Sequence, residues 1–566
     1  MFQRTRSMNG RAAGRRRFRT LARAAFVPLA VALVVAQADS ARGQIVILSQ
    51  TDRGTSAEGR SNTPALSADG STAAFASDAL DLVPPRRDQH RSDVFVRSVG
   101  GAPTTERVVS AIDGEPNAAS QASGFAPAIS ADGRTVAFAS GASNLVDNDT
   151  NGVDDIFITD ASGSVTSRVE GDFGEPDATS SFARLSGDGR WVVYTSQATN
   201  LVPDDNNEAT DVFLYDRDSG ATRRLSIASD GSEANGDSRT PAISADASTV
   251  AFVSAATNLV EQEVGGFEQI YVHDIASGET RLASQSSEGQ PANGNCFLPD
   301  LTADGSIVAF KSEGFNLVSE TSPFPDTNGL PDVFVHDSAS GETVRISVDD
   351  FGNQSNGLSG GPAISDDGRY VAFISFSSNF DPLDGNGFSD VFVVDLDTRD
   401  IERVSVALDA SGRPGGNVPD FPTTISANGV WIGFASAAEN LVAGDINNQI
   451  DSFVSCNPFE AEQCASFPTP TATATPEVTP AAGACTGDCD GNGTVSINEL
   501  IRMTNIALGV SLCGEGQVAA CPAGDANGDC AITVEELVRA VGNNLSGCTR
   551  FGDLPLDDII AMCCPL

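Results

Sequence analysis

Ile129-Ser-Ala-Asp-Gly-Arg-Thr-Val-Ala-Phe-Ala-Ser140 is the stretch that decides the fold. An Asp-Gly turn is followed at once by a short apolar run, which is the pattern of a hairpin entering a buried strand. The opening phrase returns as Leu66-Ser-Ala-Asp-Gly70, Leu185-Ser-Gly-Asp-Gly189, Ile243-Ser-Ala-Asp-Ala247, Leu301-Thr-Ala-Asp-Gly305, Ile364-Ser-Asp-Asp-Gly368 and Ile425-Ser-Ala-Asn-Gly429. Its fourth residues, Asp69, Asp132, Asp188, Asp246, Asp304, Asp367 and Asn428, are 63, 56, 58, 58, 63 and 61 apart. A period near 60, repeated seven times, means an array or a propeller.

Each unit carries the same four pieces. After the turn comes an apolar strand, as in Val371-Ala-Phe-Ile-Ser375. A polar loop follows, often with Asn-Leu-Val (Asn144, Asn200, Asn258, Asn316, Asn440), then a third strand such as Asp155-Ile-Phe-Ile158 or Asp332-Val-Phe-Val335. A Ser-Gly turn leads to a fourth, as in Glu342-Thr-Val-Arg-Ile-Ser347. Four short antiparallel strands per unit, repeated radially, predict an all-β seven-bladed β-propeller over 45–455. The seventh unit stops after its third strand, while Ile45-Val-Ile-Leu-Ser49 is an orphan fourth strand. Pairing the two would close the ring and remove its free edges.

These units resemble the WD-like repeats of TolB-type propellers, whose blades carry Ser-x-Asp-Gly-x-x-Val/Ile-Ala-Phe. The resemblance implies the fold over nearly all of 45–455. It implies no single activity, since such blades serve transport partners, peptidase caps and lyases alike.

Charge and export signals bound the function. The 566 residues hold 34 Lys and Arg against 76 Asp and Glu, a formal charge of −42, so no long basic face exists for nucleic acid. Residues 1–38 contain eight arginines and no acid, an apolar run from Ala24 to Ala36, and Ala36-Gln37-Ala38 as a small-x-small cleavage site. This is a signal peptide pattern for the Sec route, and Arg15-Arg16-Arg17-Phe18 also resembles a twin-arginine signal. The run is too short for a comfortable transmembrane helix, and no later segment could span a membrane. Without 1–38 the chain keeps 26 basic and 76 acidic residues, and an extracellular or cell-surface location is expected rather than the periplasm.

Ten of the eleven cysteines fall at 456–564, with Cys296 apart, a disulfide framework in an exported chain. A zinc site is disfavoured there, because the tail has no His and no paired CxxC.

The candidate chemistry is metal binding. In blade two, Asp147-Asn-Asp149-Thr-Asn151-Gly-Val-Asp154-Asp155 offers Asp147, Asp149, Asn151, Asp154 and Asp155 as oxygen ligands for Ca2+, with a Gly for a sharp turn. Related loops are Asp326-Thr-Asn328-Gly-Leu-Pro-Asp332, Asp384-Gly-Asn386-Gly-Phe-Ser-Asp390 and Asp445-Ile-Asn447-Asn-Gln-Ile-Asp451. The alternative for all of them is an Asn/Asp/Gly turn that helps a long hairpin reverse. Of the histidines, His273 and His336 occupy equivalent places where other blades have Arg97, Thr159, Tyr215 and Val394. That variety suggests a solvated rim. No nucleophile–base pairing is visible, so no catalytic residue is assigned.

Residues 466–482 are a Pro/Thr-rich linker, extended, with a reach of roughly 50 Å at about 3.1 Å per residue. Beyond it, Asp488, Asp490, Asn492, Thr494, Ser496 and Glu499 sit at the ligand positions of a twelve-residue EF-hand loop, with Gly493 at the turn. Asp525, Asn527, Asp529, Ala531 (through its backbone), Thr533 and Glu536 form a second, with Cys530 where Gly normally stands. Each loop runs into a matching amphipathic helix, with Leu500, Ile501, Thr504 and Leu508, then Leu537, Val538, Val541 and Leu545, on one face. This predicts a small all-α calcium module over 484–548, followed by a Cys-containing segment, 549–566. The pair resembles a dockerin, which implies calcium-dependent docking to a cohesin-like or cell-surface protein. Glu499 and Glu536 close the loops where dockerins usually have Asp. Two functions follow. One is an exported, non-catalytic binding protein with an unknown protein or glycan ligand on the propeller. The alternative is a secreted carbohydrate-active enzyme, a lyase or hydrolase, using the propeller channel.

Overall fold

A computed structural model describes residues 44–464, less 52–53, 84–91, 101–103, 113–114, 122–125, 320–324 and 409–421. The signal peptide 1–38, His90, the linker 466–482, the calcium module 484–548 and the segment 549–566 lie outside the described residues.

Seven four-stranded antiparallel sheets stand in chain order, each an expected blade. Blade two runs through Ala128–Ile129, Thr135–Ser140, Asp155–Asp160 and Thr166–Arg168, from the inner strand outwards. Blade seven is Thr424–Ile425, Trp431–Ser436 and Asp451–Cys456, completed by the N-terminal strand Ile45–Ile47, with Ile47 opposite Phe453. Ring closure is therefore as the sequence predicts.

The strands show why the sequence repeats as it does. Second and third strands are buried on both faces, because each sheet packs between two neighbours, so they read as continuous apolar runs rather than alternating ones. One aromatic from each faces its partner across the pair: Phe75–Phe95, Phe138–Phe157, Tyr194–Phe213, Phe252–Tyr271, Phe310–Phe334, Phe373–Phe392 and Phe434–Phe453. Their centroids lie 5.6 to 6.2 Å apart, the range in which ring pairs add to simple burial.

The Ser-x-Asp-Gly turn has two jobs. Its Asp, or Asn428 in blade seven, accepts the backbone N–H two residues on, at 2.8 to 3.1 Å in all seven blades, an Asx-turn. Its x residue joins the blades. Ala68 N–H donates to Ala131 O, Ala131 to Gly187, Gly187 to Ala245, Asp246 to Ala303, Ala303 to Asp366, Asp366 to Ala427 and Asn428 back to Ala68. These seven bonds, 2.9 to 3.3 Å long, run in one direction around the axis and close on themselves.

Two faces follow from the strand order. The turn face carries these Ser-x-Asp-Gly turns and the Ser-Gly turns. The loop face carries the long connections between second and third strands and those between blades. The chain leaves blade seven at the turn face, where Asn457 Nδ2 donates to Gly429 O at 2.7 Å. There Phe459 stacks on Tyr370, and a Cys456–Cys464 disulfide pins the short helical turn Ala461–Cys464. Cys296 is a buried free thiol.

Gly70 and Gly152 both have positive φ, +71° and +69°, but a Cβ on Gly70 would lie 2.2 Å from Trp431 Cδ1, whereas at Gly152 nothing stands within 4 Å. Gly70→Ala should cost about 2–4 kcal/mol, from strain plus displacement of Trp431 across the blade seven–blade one seam. Gly152→Ala should cost about 1 kcal/mol, the strain alone. Urea unfolding midpoints of the two variants measure the difference.

Candidate functional site

The blade-two loop was the strongest propeller candidate for a metal. Asp149, Asp155 and Glu175 do converge, with one carboxylate oxygen of each within 4.8 Å of the others, a geometry that could hold a divalent cation. Asn151 belongs to the same group, its Nδ2 donating to Asp155 Oδ2 at 2.9 Å and to Pro176 O at 3.0 Å. Asp147 and Asp154 are exposed.

Within this cluster stands Arg168, the last residue of the blade's outer strand, its side chain 4% exposed. Its guanidinium reaches Glu175 at 2.7 Å and both Asp149 and Asp155 at 3.8 Å. A metal entering here would compete with a cation the chain already supplies. Burial pushes the Asp155 carboxyl up to about 7, and the neighbouring Asp149 and Glu175 add to that, against the pull of Asn151 and Arg168. Neither Arg168 nor Glu175 was picked out from the sequence.

The arrangement recurs. Arg107 reaches Asp93 and Glu115, Arg224 reaches Asp205, Asp211 and Glu233, Arg345 reaches Asp326 and Asp332, and Arg403 reaches Asp381, Asp384 and Asp390. Each arginine lies opposite the third-strand aromatic of its blade, as Arg168 lies opposite Phe157 and Arg224 opposite Phe213. Blade four has Leu282 at that register, opposite Tyr271, and its third strand begins with Gln269 instead of Asp. Acid and cation are lost together, as the cost of an unpaired buried charge requires.

The histidines correct the expectation of a solvated rim. His273 and His336 are only 2% and 3% exposed, and Arg97, Thr159 and Val394 at the equivalent positions are also buried. His273 Nδ1 meets Thr280 Oγ1 at 2.9 Å and His336 Nδ1 meets Thr343 Oγ1 at 2.8 Å. Each threonine in turn donates to a carbonyl of the preceding blade, Ile227 O and Gln285 O. These side chains are inter-blade struts. Burial, with the Arg223 charge, lowers the His273 imidazole to about 4.

The central channel holds a cavity of about 240 Å³ lined by the inner strands of all seven blades. Its charged side chains are Arg184, Asp300 and Asp366. Burial raises Asp300 to about 6, although the Ile364 N–H donates to it at 2.8 Å and Arg184 attracts it. The inner strands of blades three to six each break register by a bulge, with positive φ at Phe182, Thr240, Leu298 and Gly361. Bulges and strained residues of this kind gather at binding sites, where they re-aim side chains.

The loop face is apolar in an unusual way. Eleven large hydrophobic side chains are exposed among the described residues, and all but Val165 lie on loop-face connections. Six of the ten are Phe173, Phe267, Phe315, Phe351, Phe376 and Phe388. The EF-hand ligands Asp488, Asp490, Asn492, Thr494, Ser496, Glu499, Asp525, Asn527, Asp529, Ala531, Thr533 and Glu536 lie outside the described residues.

No protein-family model matches the chain, and no curated protein matches it. Solved structures do. A manganese complex of oligogalacturonate lyase is 13% identical, covering 74% of this chain and 99% of its own, with a TM-score of 0.42. The oligogalacturonate lyase of Vibrio parahaemolyticus is 12% identical, over 73% of this chain and 97% of its own, at 0.41. A TolB of Agrobacterium tumefaciens is 16% identical, over 59% of this chain and 90% of its own, at 0.34. Likeness this distant carries nothing about ligand or activity, and the propeller assignment rests on the seven sheets themselves. No helix among the described residues is long and apolar enough to cross a membrane.

Two outcomes follow. Arg168→Leu strands Asp149 and Asp155 in the interior and should destabilise the propeller by about 3–5 kcal/mol. Adding Asp155→Gln, which copies blade four, should recover more than half of that, read from denaturant melts of the two variants. For His273 the folded pKa lies below the unfolded one, so its stabilising contribution is present above about 6.5 and lost as pH falls toward 4. NMR titration should find its ring neutral at pH 6, where a solvated imidazole would be mostly charged.

Proposed function

We propose that this chain is an exported, non-catalytic binding protein whose propeller presents its loop face to a protein or glycan ligand. The C-terminal stretch is proposed to be a dockerin-like module that binds two Ca2+ and docks to a cohesin-like or cell-surface partner. The observation that carries the platform reading is the one-sided distribution of exposed large apolar side chains among the described residues: ten on the loop face and one, Val165, on the turn face. Exposed aromatics clustered on one side of a soluble fold mark interaction surfaces. The described chain ends at the turn face, at Cys464.

Arrays of glycans and of extended peptides probed with the mature chain test this. A ligand should be retained when Glu499→Gln and Glu536→Gln disable the C-terminal loops, since the platform needs no C-terminal calcium. Phe351→Ser combined with Phe315→Ser should weaken it at least about tenfold, the loss of one or two buried aromatics, with an unchanged melting temperature. Undiminished binding by that variant would refute the loop-face reading.

The second reading is a carbohydrate-active enzyme working in the channel, whose lining carries Asp300 with Arg184 and Asp366. If the chain is a carbohydrate-active enzyme, it should release products from a pectin-type polyanion, and Asp300→Asn should abolish that release.

A further inference from the structure

Blade seven breaks the pattern of buried acid and internal arginine. It keeps the acids, Asp451 at the start of its third strand and Asp445 six residues earlier, matching Asp155 and Asp149 of blade two. Its outer strand, however, is the N-terminal one, and Ile47 lies opposite Phe453 at the register where five other blades place arginine. Blade four, which also lacks the arginine, has replaced its acid by Gln269. Blade seven has replaced nothing.

The two carboxylates are deeply buried, Asp451 at 0% and Asp445 at 5% exposure. Asp451 accepts from Ser49 Oγ at 2.5 Å and from Asn447 Nδ2 at 2.8 Å. Asp445 Oδ1 is buried and has no hydrogen-bond partner. Burial raises both acids, and each is in electrostatic reach of a further acid, Asp451 of Asp445 and Asp445 of Glu439. The Ser56 hydroxyl lies beside Asp445. Two adjoining buried carboxyl groups, one with an unused oxygen, stand where every comparable pair among the described residues has an arginine beside it.

We propose that a hard metal cation of the calcium type binds in blade seven between Asp445 and Asp451, in the place an arginine guanidinium fills in the other acidic blades. The donors are all oxygens: two carboxylates and the hydroxyls of Ser49 and Ser56, with water completing the shell. That set suits calcium rather than a soft or imidazole-seeking metal. Ser49 and Ser56 belong to the segment that follows the N-terminal strand, whereas the acids come from the last turns of the ring, in blade seven. The ion therefore ties together residues about 400 apart in sequence and locks the seam that closes the ring. With two protein carboxylates, the affinity belongs in the range of about 10⁻⁴–10⁻³ M seen in extracellular modules. The site is independent of the C-terminal loops.

Hydrogen–deuterium exchange on the full mature chain, stripped of metal and then given about 10 mM calcium, tests it site by site. Amides of 45–49 and 451–456 should exchange at least about tenfold more slowly with calcium, and peptides from 488–536 report separately on their own loops. Ile47→Arg supplies the guanidinium of the other blades, so these amides should be protected without calcium and indifferent to it. Asp445→Asn, nearly isosteric, should fold and lose the calcium response. Equal exchange with and without calcium in the wild-type chain would overturn the proposal and leave a shared proton as the counter-charge. So would a calcium response that survives either substitution.

Discussion

Seven backbone hydrogen bonds around the axis, each from one Ser-x-Asp-Gly turn to the next, fix the distance between neighbouring blades and thereby almost everything else. A single such bond contributes only about 0.5–1.5 kcal/mol net. The ring demands a small x residue, and Ala68, Ala131, Gly187, Ala245, Ala303 and Ala427 meet that demand. Asp366 is the exception, and its carboxyl is one of the three charged groups in the channel. The constraint that shapes the scaffold therefore also decides which side chains can reach the axis.

Fixing the turn face in this way leaves the loop face as the variable one. Second and third strands are six residues long in every blade, whereas the connections at this end vary more freely in sequence. Rigid strands with variable loops at one end are the usual arrangement for binding. The arginine–acid clusters lie at the base of these loops and hold them down. Arg168 and Arg224 each join the loop within their blade to the connection into the next, through Glu175 and Glu233. All the exposed phenylalanines named above but Phe267 of blade four are thus carried on loops anchored by arginine–acid ion pairs, which lowers the ordering cost of binding through them.

The propeller was legible because its period is written in the turn. Ser, Asp and Gly have steric and hydrogen-bonding roles that few residues can share, so seven copies stay recognisable while the strands drift. Ring closure was legible for a related reason, an outer strand missing at one end and present at the other. The site was less so. Asp147, Asp149, Asn151, Asp154 and Asp155 read as a liganding loop because spacing along one loop records carboxylates only. The opposing charge, Arg168, comes from a different strand, and Glu175 from the connection after it. A signal was present nonetheless. Arg107, Arg168, Arg224, Arg345 and Arg403 recur at one position of the repeat, in step with Asp93, Asp155, Asp211, Asp332 and Asp390. The histidine error has a similar origin. Variety among Arg, Thr, Tyr, His and Val suggests water, but the structure links three of them to the preceding blade: Arg97 donates to Gln50 O at 2.7 Å, and His273 and His336 reach Ile227 O and Gln285 O through Thr280 and Thr343.

Blades four and seven show two ways in which the repeat does without the arginine: Leu282 stands at the register in one, and in the other the outer strand comes from the far end of the chain. In blade four the acid became Gln269, whose amide donates to Ala292 O at 2.9 Å and accepts from Ser284 at 2.5 Å, so a neutral group satisfies the same neighbours. In blade seven Ser49 makes the equivalent bond, yet the carboxylates remain. Glutamine would have served there as well as it does in blade four. Retained charge at a position where a neutral solution exists in the same molecule argues for a counter-charge from outside the chain, and its location at the one seam not joined by continuous backbone gives that charge a structural use.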